Sequence, residues 1–332
     1  MDNVLRITDL SVEYKQYNNK MTIVNRLSFQ VNKAEIFGII GESGCGKSTT
    51  ALSIAGLLPD NITIASGAIS FLGKDLATLS KRGRLEYLGK EIGFIFQDPI
   101  TSLNPLMKIG EQISERLYLY SDLDKNQIEN RVSEVLSEVG LPNGKEFLVK
   151  YPHELSGGMR QRVMIAIALV NNPKLIIADE PTTSLDSTIQ AQILYLLTKI
   201  RDKYGCTILL ISHDFGVVNQ ICDKVAVMYS GQIVESADTL SLLKIPVHPY
   251  TIGLMASIPH VNKKGEALTG IPGTVRIADN HENQCVFAHR CIKSTEKCFS
   301  SKPTLIHISQ DHYYRCFVEQ GGGSNAECNA FG

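Results

Sequence analysis

Two rhythms of apolar positions alternate along the chain. Val4 to Val12 and Ile23 to Val31 are dense in β-branched and apolar residues, and Ile36-Phe-Gly-Ile-Ile40 is a short apolar run that ends in a glycine-rich stretch. Such runs predict strands. Directly after the glycines, Ala51, Leu52, Ile54, Ala55 and Leu58 recur near helical spacing from Ser48 onward, and Pro59 closes that helix. Gly67–Leu72 and Ile92–Phe96 predict further strands. From Pro99 to about Val170 the period becomes helical, with Ile128, Val132, Val135, Leu136 and Val139 on one face of a charged helix. Strand-like runs return at Leu175–Asp179, Thr207–Ser212 and Val225–Met228, with a helix from Thr188 to about Tyr204. This alternation predicts an α/β unit with a mostly parallel core sheet and a helical subdomain inserted at about 99–170.

Beyond Lys244 the pattern breaks. Pro246, Pro249, Pro259 and Pro272 punctuate a segment richer in Gly, His and Lys, in which Cys285, Cys291, Cys298 and Cys316 cluster. Residues 1–244 therefore read as the main domain, 245–320 as a separate C-terminal appendage, and 321–332, with Gly321-Gly-Gly-Ser-Asn-Ala, as a flexible tail.

Charge changes this picture only by exclusion. With 33 basic and 34 acidic residues the chain carries a formal −1, so nothing draws it broadly to nucleic acid or anionic lipid. Its apolar runs are far shorter than the roughly 20 residues that cross a bilayer. Met1-Asp-Asn-Val-Leu-Arg6 shows no export signal, so a cytoplasmic setting is expected, where eight cysteines argue against a disulfide framework.

Candidate chemistry enters with three motifs. Gly41-x4-Gly46-Lys47-Ser48 follows a strand and opens a helix, so main-chain N–H groups of a loop poor in side chains, with the positive end of the helix, can cradle phosphate. Lys47 would reach the β- and γ-phosphates and Ser48 would ligate Mg²⁺; a glycine-rich turn that merely precedes a helix is the plainer alternative. Leu175-Ile-Ile-Ala-Asp179-Glu180 delivers two carboxylates at a strand end, where open α/β sheets bind ligands. Asp179 suits Mg²⁺, and Glu180 could orient or deprotonate an attacking water. Leu155-Ser156-Gly157-Gly158-Met159-Arg160-Gln161-Arg162 opens a helix with small residues and free N–H groups but no lysine or metal ligand. By itself it could be an ordinary cap at Ser156.

Taken in order, these motifs make the chain similar to the ABC ATPase family over about residues 3–240, with 155–162 matching its Leu-Ser-Gly-Gly-x-x-x-Arg signature. The resemblance implies a P-loop NTPase fold with an N-terminal antiparallel β subdomain. It implies that Gly41, Ser43, Gly44, Cys45, Gly46, Lys47, Ser48 and Thr49 hold ATP, and that Gln97, after Gly93-Phe-Ile-Phe96, approaches Mg²⁺ and the γ-phosphate beside Ser48 and Asp179. Glu180, His213 and Gln97 would be catalytic. Asp186 would communicate across a dimer, and Ser156 and Gly158 would complete the nucleotide site of a second ATPase subunit. Tyr14 resembles the adenine-stacking aromatic, with Tyr17 a close competitor.

Cys45, beside N–H dipoles and Lys47, is expected to have a lowered thiol pKa. The spacing Cys285-x5-Cys291-x6-Cys298-x17-Cys316 leaves free thiols, zinc and iron–sulfur all open. The order His248-Pro249-Tyr250-Thr251, then Ile271-Pro272-Gly273, then the four cysteines is similar to the C-terminal extension of oligopeptide/dipeptide importer ATPases. That resemblance favours a [4Fe–4S] cluster over Zn²⁺. It also implies a paralogous ATPase partner, two membrane permeases, an extracytoplasmic substrate-binding protein and a peripheral place on the cytoplasmic face of the membrane. Peptides are the first choice of cargo, with nickel, metallophore or glutathione as alternatives, and a DNA-repair ATPase as a rival from another class. Two departures stand out: Ala34 replaces the usual glycine before the loop strand, and Thr274-Val275 replaces a proline-rich continuation.

Overall fold

In the computed structural model, which describes residues 3–16, 19–183, 185–257, 271–274 and 283–317, the strands form two sheets. The first half holds β1 (Asn3–Gln16), β2 (Asn19–Asn32), β3 (Ile36–Ile40), α1 (Lys47–Ala55), β4 (Ile62–Phe71), β5 (Lys74–Asp75), α2 (Lys81–Lys90) and β6 (Ile92–Ile95). The helical insertion follows as α3 (Pro99–Ser102), α4 (Ile109–Tyr120), α5 (Lys125–Glu138), α6 (Lys145–Leu148) and α7 (Gly157–Leu169). Then come β7 (Leu175–Asp179), α8 (Ser187–Tyr204), β8 (Thr207–Ser212), α9 (Phe215–Ile221), β9 (Lys224–Tyr229), β10 (Gln232–Asp238), α10 (Thr239–Lys244), α11 (Pro249–Ala256), α12 (Glu296–Ser300), β11 (Ile306–His307) and β12 (Tyr313–Tyr314).

β2-β1-β4-β5 form an antiparallel sheet, and β11-β12-β10-β9-β3-β8-β7-β6 form the larger one. Within the larger sheet β9, β3, β8, β7 and β6 are parallel, which explains their composition. Every residue of β3, β7 and β8 is buried, because helices or the other sheet cover both faces, and so these strands read as unbroken apolar runs. Phe29 of β2 stacks on Phe37 of β3 with ring centroids 5.3 Å apart, tying the two sheets together. In α5 the predicted face is the buried one: Ile128, Val132, Val135 and Leu136 are at most 3% exposed, and α5 packs on α4 and α7.

Three elements depart from expectation. Half of the residues of α2 are charged and its apolar ones show no helical period, and it is set by the Ser80 hydroxyl, which accepts from the Gly83 N–H. α9 spans only seven residues, capped by Asp214. β10 contains Gln232, Glu235 and Ser236, all buried, so polarity hides a core strand. The Glu235 carboxylate accepts from the N–H groups of Val247 and His248, each at 2.9 Å, and lies 2.9 Å from Nε2 of His312. A buried carboxylate needs such partners, and here they all lie beyond Lys244.

The appendage is accordingly not separate. β12 pairs with β10, matching Glu235 with Tyr314 and Ser236 with Tyr313, and so extends the main sheet. Tyr250, Cys285, Phe287, Ala288 and Cys298 share one apolar core with the parallel strands and the helical insertion. Burial pushes the His248 imidazole down to about 4, so the ring is neutral, and its Nδ1 caps α11 by accepting from the Tyr250 N–H at 3.1 Å. The tail 321–332 and Val275 lie outside the described residues.

Ala34 adopts φ 57°, the left-handed conformation that the glycine it replaces would enter freely. Its N–H donates to Thr207 Oγ1 at 3.1 Å, a bond glycine would keep. Ala34→Gly should therefore stabilise the protein by about 0.5–1 kcal/mol, read as a higher urea midpoint at unchanged slope; a lower midpoint would contradict this account of the turn.

Candidate functional site

The glycine-rich loop lies between the end of β3 and the start of α1, and its tightness is dictated by main-chain neighbours. A Cβ on Gly41 would lie 2.2 Å from the Met228 carbonyl oxygen, and one on Gly46 would lie 3.1 Å from the Ile23 carbonyl oxygen. Gly44 and Gly46 also have φ of 80° and 104°, so neither position suits a side chain. Lys47, 4% exposed, turns its ammonium into the loop and donates to the carbonyls of Gly41 at 2.7 Å and Glu42 at 3.0 Å. Both acceptors are neutral, so the cation is held ready for an anion rather than spent on a carboxylate. Ser48 Oγ donates to Asp179 Oδ1 at 3.0 Å, a hydroxyl and a carboxylate paired as ligands of a hard cation are. Burial pushes the Asp179 carboxyl above the usual range, and Glu180 adds to the push, against the Ser48 hydrogen bond and Lys47. A divalent cation at this pair would restore the ionised form.

Glu180 leaves β7 with φ 47°, and its N–H is pinned to the Ile211 carbonyl of β8 at 2.9 Å. Its Oε2 accepts from Gln97 Nε2 and Thr183 Oγ1, each at 3.0 Å, and lies 3.0 Å from Nδ1 of His213. Glu180 is 11% exposed and His213 is 54% exposed, so the imidazole is the partner on the open side. A cavity of about 610 Å³ joins Ser43, Gly44, Gly46, Lys47, Ser48 and Thr49 to Gln97, Glu180 and His213. A cleft of about 710 Å³ elsewhere, between the antiparallel sheet and residues 302–315, contains none of the phosphate loop.

Not every expected residue is in this cavity. Ser156 caps α7, accepting from the Met159 N–H at 3.3 Å, and Asp186 caps α8 through the N–H groups of Thr188 and Ile189. A Cβ on Gly158 would touch Ile189 at 3.0 Å, so these two helix starts pack on each other, outside the lining of the 610 Å³ cavity. Tyr14 pairs within the antiparallel sheet with Met21 and Ile62 and does not line the cavity either. Tyr17 and Ser184 lie outside the described residues.

Cys45 requires a correction. It sits beneath the loop, 1% exposed, with Sγ 3.9 Å from Lys47 Nζ. Burial outweighs the lysine and the N–H dipoles, and the thiol is pushed up, not down. In the C-terminal segment Cys285, Cys298 and Cys316 are buried and Cys291 is half-buried. Burial pushes the Cys285 thiol up to about 11, and Cys298, Cys316 and Cys291 add to the push, so the four thiols lie within electrostatic reach of one another. Among the described residues, no three Cys, His, Asp or Glu side chains are gathered as a single metal ion requires.

Three further groups belong to the site without having been expected there. Thr183 supports Glu180, while Tyr250 and Arg290 reach the loop from the C-terminal segment. Only the His248-Pro-Tyr250-Thr run hinted at one of them.

Comparison with known proteins agrees with this geometry. A family model described as ABC transporter matches residues 24–183, and one described as oligopeptide/dipeptide transporter, C-terminal region, matches 234–298. The chain is similar to the oligopeptide transport ATP-binding protein AppD of Bacillus subtilis, 43% identical over 98% of this chain and 99% of the relative. It is also similar to the oligopeptide transport ATP-binding protein OppD of Escherichia coli, 42% identical over 95% and 93% of the two chains. Among solved structures, the dimeric post-hydrolysis state of the ATP-binding cassette MJ0796 bound to ADP and Pi superposes with a TM-score of 0.64 at 26% identity, covering 71% of this chain and 98% of that one.

Proposed function

The chain belongs to the ABC transporter ATP-binding proteins, in their oligopeptide/dipeptide branch, and from that premise we propose that it hydrolyses ATP at the 610 Å³ cavity to drive peptide uptake through membrane permeases. The observation that carries the reading is the convergence of Gln97, Thr183 and His213 on one oxygen of Glu180, across the cavity from Lys47. Main-chain groups of 41–49 and the Lys47 ammonium bind the phosphates. Ser48, Asp179 and Gln97 would hold Mg²⁺, which would supply positive charge to offset that of the phosphates. Glu180 orients the attacking water and takes its proton, while the water oxygen forms the new bond to γ-phosphorus and ADP departs with the bridging oxygen. Gln97 and His213 hold the Glu180 carboxylate and sense the γ-phosphate, and Tyr14 is assigned to stack on adenine.

Ser156, Gly158 and Asp186 do not line the chain's own cavity; in this reading they address the nucleotide of a second, paralogous ATPase subunit. Loss of the γ-phosphate then loosens that interface, which is how hydrolysis becomes motion. No helix among the described residues is long and apolar enough to cross a membrane; in this reading the permeases supply the passage and this subunit sits peripherally on the cytoplasmic face. Beside those permeases and an extracytoplasmic binding protein, ATP hydrolysis should rise when the binding protein carries oligopeptide or dipeptide. A rise with nickel, a metallophore or glutathione, and none with peptide, would contradict the cargo assignment.

The four cysteines hold a [4Fe–4S] cluster in this reading. Its support is their mutual electrostatic reach and their burial. Anaerobically purified protein should contain about four iron atoms and labile sulfide per chain, lost when Cys285 and Cys298 are replaced by serine; stoichiometric zinc without iron would overturn this.

A further inference from the structure

The phosphate loop is gripped from outside the core sheet. The Glu42 N–H, second in the loop, donates to the Tyr250 hydroxyl at 2.9 Å. Its carboxylate is held on both oxygens by Arg290, Nη1 to Oε2 at 2.5 Å and Nη2 to Oε1 at 3.0 Å. The arginine is in turn over-determined. Nε donates to the Pro272 carbonyl at 2.7 Å, Nη2 to that of Ile271 at 3.3 Å, and the guanidinium lies 5.7 Å from the Tyr229 ring centroid. The Arg290 side chain is 6% exposed and that of Glu42 is 29%, so the fork is desolvated on the cation's side and faces the cavity on the anion's side. Arg290 is pushed up by Glu42 first, then Tyr229, against burial.

Glu42 lines the same cavity as Ser43, Lys47 and Ser48. A carboxylate in that position, left unpaired, would repel a polyanion and would be free to swing into the space the phosphates need. A bidentate arginine cancels the charge and fixes the direction of both oxygens at once. The residue after Arg290 is Cys291, and residues 288–290 form a single helical turn whose cap is that cysteine.

We propose that Arg290 is a positioning residue for nucleotide binding: by neutralising and orienting Glu42 it keeps the phosphate loop receptive to a nucleoside triphosphate, and thereby places the cysteine-bearing segment in control of nucleotide affinity. The proposal rests on the reading that residues 41–49 hold the phosphates. It differs from a simple packing role because the damage from losing Arg290 is an uncancelled charge, and a second substitution can remove that charge.

Equilibrium binding of Mg-ATP by the full chain tests it, with folding of each variant checked by thermal melting. Arg290→Gln should weaken binding about tenfold or more, less so at high salt, where the repulsion is screened. Glu42→Gln, which leaves the cation in excess beside the phosphates, should tighten binding. The double variant should return to within about threefold of the parent, since neither uncancelled charge remains. A folded Arg290→Gln protein with parental affinity, or a double variant as weak as Arg290→Gln, would overturn the proposal. Lys47→Ala in the same assay separates the two levels: retained binding there would overturn the site itself, whereas lost binding there with parental affinity in Arg290→Gln would overturn only the role of Arg290.

Discussion

Gln97, Glu180 and His213 stand on three neighbouring strands, and the parallel register of β6, β7 and β8 is what brings them to one point. Ile95 pairs with Ala178 and Asp179 pairs with Ile211, so the three strands end at nearly the same level. Gln97 then lies two residues beyond its strand, and Glu180 and His213 each lie one beyond theirs. In an antiparallel sheet the same strand ends would alternate between opposite edges. The Glu180 carboxylate, its three supports and the phosphate loop after β3 are therefore consequences of one topological constraint, and the cavity they line lies at the carboxyl edge of the strands, where open α/β sheets bind ligands.

Placing chemistry at that edge has a cost in stability. Asp179 is a buried carboxylate whose ionised form is disfavoured until a cation arrives, Glu180 sits in a left-handed conformation, and Lys47 points its charge at neutral groups, the Gly41 and Glu42 carbonyls and the Cys45 thiol. Such features destabilise the nucleotide-free protein. The C-terminal segment offsets part of this strain. It extends the main sheet through β12, satisfies the buried Glu235, and holds the loop through Tyr250 and Arg290. What looks in composition like an added tail backs the phosphate loop through Tyr250 and Arg290, and its Leu254 lines the 610 Å³ cavity.

The elements best read from sequence were those whose surroundings are uniform. β3, β7 and β8 are buried on both faces, and α5 presents one apolar face, so composition and period identify them directly. β10 was missed because its buried polar residues are satisfied by groups far along the chain, a pairing that local pattern does not contain. α2 was missed for the opposite reason, having little buried surface to give it a period. In the site, Gly41 to Ser48, Asp179 and Glu180 were legible because spacing fixes their geometry, whereas Arg290 reaches Glu42 across 248 residues and leaves no local trace. Cys45 was misjudged because its neighbours in sequence are visible and its burial is not.

The central claim is that the oxygen of Glu180 on which Gln97, Thr183 and His213 converge belongs to the group that drives hydrolysis, while the phosphate loop binds independently of it. Glu180→Gln keeps the shape of the side chain and removes its basicity. Single-turnover hydrolysis and ATP affinity measured on that variant separate the two functions. The account predicts hydrolysis slowed by about a hundredfold or more with ATP affinity retained; hydrolysis within a few-fold of the parent would contradict it.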